Sequence, residues 1–271
     1  MESGDGDPNK GGNVKNRTLA KIRAGKPVYG FASGIGSPIA TETLAASGID
    51  FVFLDGQHGS FGMDRVIDCL LAIGGYPADA VARVPVNDFT WIGRFLDEGC
   101  VGIVVPMVNN AADAKKAADA CRFPPIGTRS WGWGRAARYG ADYTDEIDRE
   151  VFLAVQIETK TAVENAEEIL STPGVDGCWI GPSDLALSYG IHPRDRFASE
   201  VHAEAVEKIL QACKKTGKFS GYATSGPSEA LALAARGAQF LTVGSDAGFI
   251  LKGIAEEMSQ LGIDPNNQEA Y

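Results

Sequence analysis

Short apolar runs recur along this chain, each entered through a small residue and Gly and left through polar residues. Four repeats are plain. Ser47-Gly48-Ile49-Asp50 precedes the run 51–54, Glu98-Gly99-Cys100 the run 101–105, Pro173-Gly174-Val175-Asp176 the run 177–180, and Arg236-Gly237-Ala238 the run 239–243. Gly just past a helix supplies its left-handed cap. Continuous apolar runs between such turns suit parallel strands covered on both faces. Less regular repeats at 28–32, 80–84, 151–157 and 219–223 complete the set. Between them, apolar positions return at helical spacing over 63–73, 111–121, 162–170, 203–215 and 228–235. Eight strands alternating with eight helices predict an α/β chain closed as a (β/α)8 TIM barrel, not an open doubly wound sheet.

The length of 271 residues fits one such domain, over residues 14–271. Residues 1–13, rich in Gly, Asp and Asn with no apolar period, read as a disordered leader. Gly34-Ile35-Gly36 and Gly132-Trp133-Gly134 lack the rest of a dinucleotide fingerprint. The apolar runs are too short to cross a bilayer. A net charge of −10 with scattered Lys and Arg argues against nucleic acid or an anionic membrane as partner. The five Cys form no Cys-x-x-Cys pair and read as buried small hydrophobes of a cytoplasmic protein.

In a barrel of this kind chemistry gathers where strands end and βα loops begin. Those positions hold Asp55-Gly56-Gln57-His58-Gly59 after the second strand and Arg83 at the end of the third. Gln156-Ile157-Glu158 closes the fifth, and Gly181-Pro182-Ser183-Asp184 follows the sixth. Glu158 and Asp184 end neighbouring strands, roughly 5 Å apart, so their oxygens could share one divalent ion. Alternatively, Asp184 would cap the next helix. Gln156 shares the Glu158 face and would donate to a bound oxygen. Gly181 and Ser183 belong to a turn whose N–H groups offer a carboxylate-sized anion site. Arg83, on a strand of Ala and Val, needs an anion: Asp55 or a substrate oxygen. His58 is the natural proton acceptor, with Asp55 placed to orient it or with a third-ligand role as the alternative. His192 and His202 read as exposed bystanders.

Asp-Gly-x-His, the Arg after strand three, Pro106-Met107-Val108, Pro124-Pro125-x-Gly-x-Arg129, Gln-x-Glu and Gly-Pro-x-Asp-Leu together resemble the HpcH/HpaI aldolases, from about Ala20 to about Leu261. The resemblance implies a class II aldolase that reversibly cleaves 4-hydroxy-2-oxo acids to pyruvate and an aldehyde through a pyruvate enolate. It implies Mg2+, Mn2+ or Co2+ on Glu158 and Asp184, with pyruvate chelating the metal. Arg83 would face the enolate oxygen, the Ser183 and Asp184 amides would hold the carboxylate, and His58 would move the proton of the cleaved hydroxyl. It further implies a hexamer, a trimer of dimers with exchanged C-terminal helices, in which Asp97 reaches a neighbour's site. Two features depart from the pattern. Gln57 stands where the family usually has Glu, and Trp131 and Trp133 occupy a loop that is often small and Gly-rich. Those Trp would wall the acceptor site, pack under the barrel or lie at an interface.

Three alternatives stay open. A Schiff-base aldolase needs a Lys at the mouth, for which Lys160 is the nearest candidate. A CoA-ester lyase of the citrate-lyase or malyl-CoA-lyase kind would share the carboxylates and Arg. A non-catalytic barrel would only bind 2-oxo acids.

Overall fold

The computed structural model describes residues 16–132, 134–135 and 143–263. Eight parallel strands close into a barrel in sequence order. They are β1 (Val28–Ser33), β2 (Phe51–Asp55), β3 (Asp79–Arg83), β4 (Gly102–Val105), β5 (Phe152–Ile157), β6 (Gly177–Ile180), β7 (Phe219–Ala223) and β8 (Phe240–Ser245). The last pairs with the first, with an irregularity between Gly30 and Phe31. The helices that follow are α1 (Arg17–Arg23), α2 (Pro38–Ala46), α3 (Met63–Ile73), α4 (Phe89–Asp97), α5 (Ala111–Cys121), α6 (Tyr143–Glu150), α7 (Lys160–Glu164), α8 (Ala166–Ser171), α9 (Pro182–Ser188), α10 (Glu200–Thr216), α11 (Pro227–Ala235) and α12 (Asp246–Gln260).

The expected strand and helix positions hold, and Gly48, Gly99, Gly174 and Gly237 all take positive φ at the helix ends. The stretch expected as one helix over 162–170 is two, α7 and α8. Asn165 leaves helical geometry between them, and its side-chain amide donates to Asn109 O at 2.9 Å. The first helix, α1, was not singled out by the pattern; Leu19 and Ile22 on it join the buried interior.

Alternation along the strands makes two cores. Val52, Leu54, Ile103, Val105, Leu153, Val155 and Cys178 face outward onto the apolar stripes of the helices, for example Val66, Cys69, Leu70 and Ile73 of α3. The opposite parity fills the interior with Phe51, Phe53, Val81, Val104, Phe152, Trp179, Phe219 and Phe240. Gly30, Gly102 and Gly177 stand beside Phe51, Phe152 and Phe219, whose rings fill the space a Cβ would need. Phe51 stacks on Phe240 with centroids 4.6 Å apart, and Phe53 on Trp179 at 5.0 Å. This aromatic filling makes the lower barrel a solid plug. Among the described residues, no helix is long and apolar enough to cross a membrane. All five cysteines are free and buried.

Candidate active site

The inward-facing column that packs the plug continues upward and turns polar at the strand ends. Phe51 and Phe53 lead to Asp55, Val81 to Arg83, Phe152 and Ala154 to Gln156, and Trp179 to Gly181. Strand register sets Asp55 opposite Arg83 and Gln156 opposite Trp179. His58, Arg83, Gln156, Trp179, Gly181, Ser183 and Asp184 line one cavity of about 380 Å³ at this mouth. A second cavity of about 450 Å³ adjoins it over β7 and β8, sharing Arg83, Trp179, Ala223, Thr224 and Ser225. A larger hollow of about 790 Å³ lies at the opposite end, between α1, α10 and the start of β7, away from these groups.

Arg83 is buried and meets Asp55 through two hydrogen bonds, Nε to Oδ1 at 2.9 Å and Nη2 to Oδ2 at 2.6 Å. Its guanidinium carbon lies 5.3 Å from the Trp179 ring centre. Asp55 Oδ1 also accepts from the backbone N–H groups of Gln57 and His58. Burial pushes the Asp55 carboxyl upward, but the Arg83 hydrogen bond and charge and the two amides outweigh it, holding it below its ordinary value. The anion of Arg83 is therefore Asp55. The contact between Asp55 and His58 runs through the His58 backbone, not its ring.

Glu158 is 2% exposed. Its Oε1 accepts the Met107 N–H at 2.9 Å, and its Oε2 accepts from the Gln156 amide. Met107 takes φ 57° to present that N–H, a strain of about 1–3 kcal/mol for a non-glycine residue. Burial raises the Glu158 carboxyl to about 7, and the charge of Asp184 pushes the same way, against the Met107 amide. A Cβ at position 181 would come within 2.6 Å of Glu158 Oε2 and 2.7 Å of the Gln156 amide, so only Gly leaves this cradle open. Gln156 Oε1 is buried without a partner. Asp184 is exposed in the first turn of α9, whose N-cap is Gly181 with no side-chain cap. Capping does not occupy this carboxylate. The first bond of α9 runs from Leu185 to Gly181 O, so the Ser183 and Asp184 N–H groups precede the ladder.

Two mutually repelling carboxylates, one forced toward neutrality by burial, form a hard-oxygen donor pair that suits a divalent cation. Among the described residues, no cluster of three or more His, Cys, Asp or Glu gathers as a metal site.

Asp97, expected to reach a neighbour's site, and Trp131 do not line this chain's own mouth. Asp97 ends α4, and helices between parallel strands run back toward the strand starts. There Asp97 pairs with Arg129 at 2.8 Å, and the Gly134 backbone packs against it. Trp131 sits on the same α5-to-β5 connection, 48% exposed, below this chain's own mouth. Trp133 lies outside the described residues. His202, expected as an exposed bystander, is 4% exposed, and its Nε2 lies 3.1 Å from Pro182 O beneath the α9 turn. Burial lowers its pKa. Its place on the inner face of α10, beside Ala205 and Val206, was the overlooked signal.

The sequence reading also missed Trp179, Arg196 and Lys252. Strand parity two residues before Gly181 pointed to Trp179. Arg196 comes from a short 3-10 helix (Pro193–Ala198), and Lys252 of α12 lines the second cavity. Neither has a sequence signature. Lys160 is exposed and lines neither cavity.

A family model described as HpcH/HpaI aldolase/citrate lyase matches residues 31–252. A 4-hydroxy-2-oxo-heptane-1,7-dioate aldolase of Klebsiella pneumoniae is 36% identical over 244 residues, covering 89% of this chain and 91% of the relative. The protein of that name from Shigella flexneri is 34% identical over 253 residues, 92% and 94% of the two chains. The crystal structure of an HpcH/HpaI aldolase/citrate lyase family protein from Burkholderia cenocepacia superposes with a TM-score of 0.85 at 29% identity, covering 91% of this chain and 99% of that one.

Proposed function

The chain belongs to the HpcH/HpaI aldolase/citrate lyase family and is a carbon–carbon lyase, and we propose that it reversibly cleaves 4-hydroxy-2-oxo acids to pyruvate and an aldehyde. The observation that carries this reading is the single cavity shared by Arg83, His58, Gln156 and Asp184, with the buried Glu158 carboxylate beside Gln156 and Gly181. Glu158 and Asp184 would hold Mg2+, Mn2+ or Co2+. Such a cation supplies Lewis acidity toward the keto and carboxylate oxygens of the substrate.

The remaining work falls to the chain itself. Arg83 spends Nε and Nη2 on Asp55, so Nη1 serves the oxygen that gains charge as the enolate forms. Asp55 fixes the guanidinium plane from one side and Trp179 supports it from below. Gln156 and the Ser183 and Asp184 amides orient the 2-oxo acid, the amides toward its carboxylate. His58 accepts the proton of the 4-hydroxyl as the C3–C4 bond breaks, and the electron pair of that bond becomes the enolate. Gln57 beside it cannot ionise, so proton movement rests on His58.

Assembly and location are part of the same reading. Among residues of α12 only Asp246 is buried, and Phe249, Ile250, Leu251 and Ile254 are exposed. A hexamer of three dimers, with C-terminal helices exchanged, would cover them and bring Asp97 and Trp131 toward a neighbour's mouth. Five free, buried thiols fit a cytoplasmic setting.

Exchange of pyruvate methyl protons into deuterated water, followed by NMR, tests the proposal. The expected result is rapid exchange abolished by a chelator and restored by Mn2+. Binding of pyruvate that raises Tm without exchange would overturn it, and a borohydride-trapped adduct on Lys252 would replace the metal reading with a Schiff base.

A further inference from the structure

The His58 segment is held from two sides. On one side the Asp55 carboxylate takes the Gln57 and His58 N–H groups, and Asp55 O takes the Gly59 N–H at 3.0 Å. On the other, Ser60 donates its N–H to Gly34 O at 2.7 Å. Gly34 belongs to the turn between β1 and α2, and that turn is closely fitted to the His58 segment. Gly36 takes φ 72°, and a Cβ there would overlap the Ser60 carbonyl; one on Gly59 would lie 3.0 Å from Gly34 O.

The β1–α2 turn is fixed in turn by Asp246, the first residue of α12 and 4% exposed. Its carboxylate accepts the Gly34 N–H at 2.9 and 3.1 Å, the Ile35 N–H at 3.1 Å, the Ala247 N–H at 2.8 Å and, more weakly, the Ser33 hydroxyl at 3.4 Å. No backbone group of the turn could replace that acceptor, since two adjacent N–H groups converge on one point.

We propose that Asp246 is a positioning residue for bond cleavage: it pins the β1–α2 turn, and the Gly34 carbonyl of that turn pins His58 over the cavity. The proposal rests on the role given to His58 above. Because Asp246 opens α12, the seating of that helix and the seating of His58 are mechanically one.

The test compares Asp246→Ala, Asp246→Asn, His58→Ala and the Asp246→Ala/His58→Ala pair in the full-length protein. A displacement of His58 by an ångström corresponds to a loss of about 10²-fold in kcat for Asp246→Ala, with KM little changed. Asp246→Asn keeps an oxygen that accepts from Gly34, so it should recover most of that loss. The double variant should turn over no more slowly than His58→Ala alone, and amide hydrogen exchange of residues 56–61 should quicken in Asp246→Ala. Losses that multiply in the double variant, or unchanged exchange over 56–61, would overturn the positioning role. Full turnover by His58→Ala would instead remove the role of His58, while the exchange result still decides whether Asp246 is the tether.

Discussion

At the mouth of the barrel Arg83 meets Asp55 with two hydrogen bonds and keeps one side toward a cavity. At the other end Arg122 meets Asp176 through Nη2 at 2.7 Å, and the same oxygen takes the Leu153 N–H at 2.7 Å. Arg122 Nη1 is buried there without a partner, as are Nε and Nη1 of nearby Arg129. Similar residue pairs thus do different things. The lower pair ties the connection after α5 to the approach of β6, leaving donors stranded for the sake of the tie. The upper pair holds a guanidinium ready for an oxygen that arrives from outside.

Removing one arginine at each end separates these roles. Arg122→Met leaves Asp176 with only the Leu153 N–H as partner, a loss of about 1–3 kcal/mol in unfolding free energy, with kcat per folded molecule unchanged. Arg83→Ala should cost about 10²–10³-fold in kcat per folded molecule, the scale of one lost oxyanion donor, beyond the stability lost by leaving Asp55 buried without its cation. Urea denaturation and steady-state kinetics on both variants check the pair. A mouth variant that loses only stability, or a lower variant that loses only turnover, would break the comparison.

Glu158 sharpens the contrast through pH. Its folded-state pKa of about 7 stands above the ordinary 4.5, so in cation-free protein its neutral form contributes stability. That contribution is complete below about 4.5 and is lost as pH rises through about 7, up to about 3 kcal/mol. A divalent cation needs the ionised form, so its affinity should climb about tenfold per pH unit below 7 and level off above. Tm followed from pH 5 to 8 with EDTA should fall relative to Glu158→Gln, and saturating Mn2+ should remove the fall. Parallel curves for the two proteins in EDTA would show that burial does not govern this carboxylate.

The barrel was legible because its signals are local. The Gly caps at 48, 99, 174 and 237 and the apolar runs after them need only neighbours in sequence. Asp55, Arg83, Gln156 and Glu158 were legible because strand ends define the mouth. What long-range packing decides was not. Asp97 was expected at a neighbour's site and Trp131 at the mouth, under the barrel or at an interface; the α4 end and the α5–β5 connection carry both to the strand starts. His202 looked exposed because its helix start is polar, while its own position faces inward onto Pro182 O. Asp246 gave no signal, since the Gly34 and Ile35 amides it holds lie more than two hundred residues away.

The smallest expected effect concerns what the arginines rest on. Trp179→Phe keeps a ring against Phe53 but loses the Nε1 bond to Thr242 Oγ1 at 3.3 Å and weakens the face under Arg83. A neutral hydrogen bond and a partial cation–π contact together are worth about 1 kcal/mol. That predicts roughly a fivefold fall in kcat/KM, beside the Tm loss expected from trimming a buried indole. Phe123→Leu, beneath Arg129 at 4.5 Å, removes the matching support at the other end. It should lower Tm and leave kcat/KM in place. Equal responses in both variants would mean that the aromatic floor under Arg83 is mere packing, so that Asp55 alone aims the guanidinium. The expected inequality would mean that the plug filling the barrel also serves as the seat of its chemistry, since Trp179 belongs to the same inward column as Phe53 and Phe152.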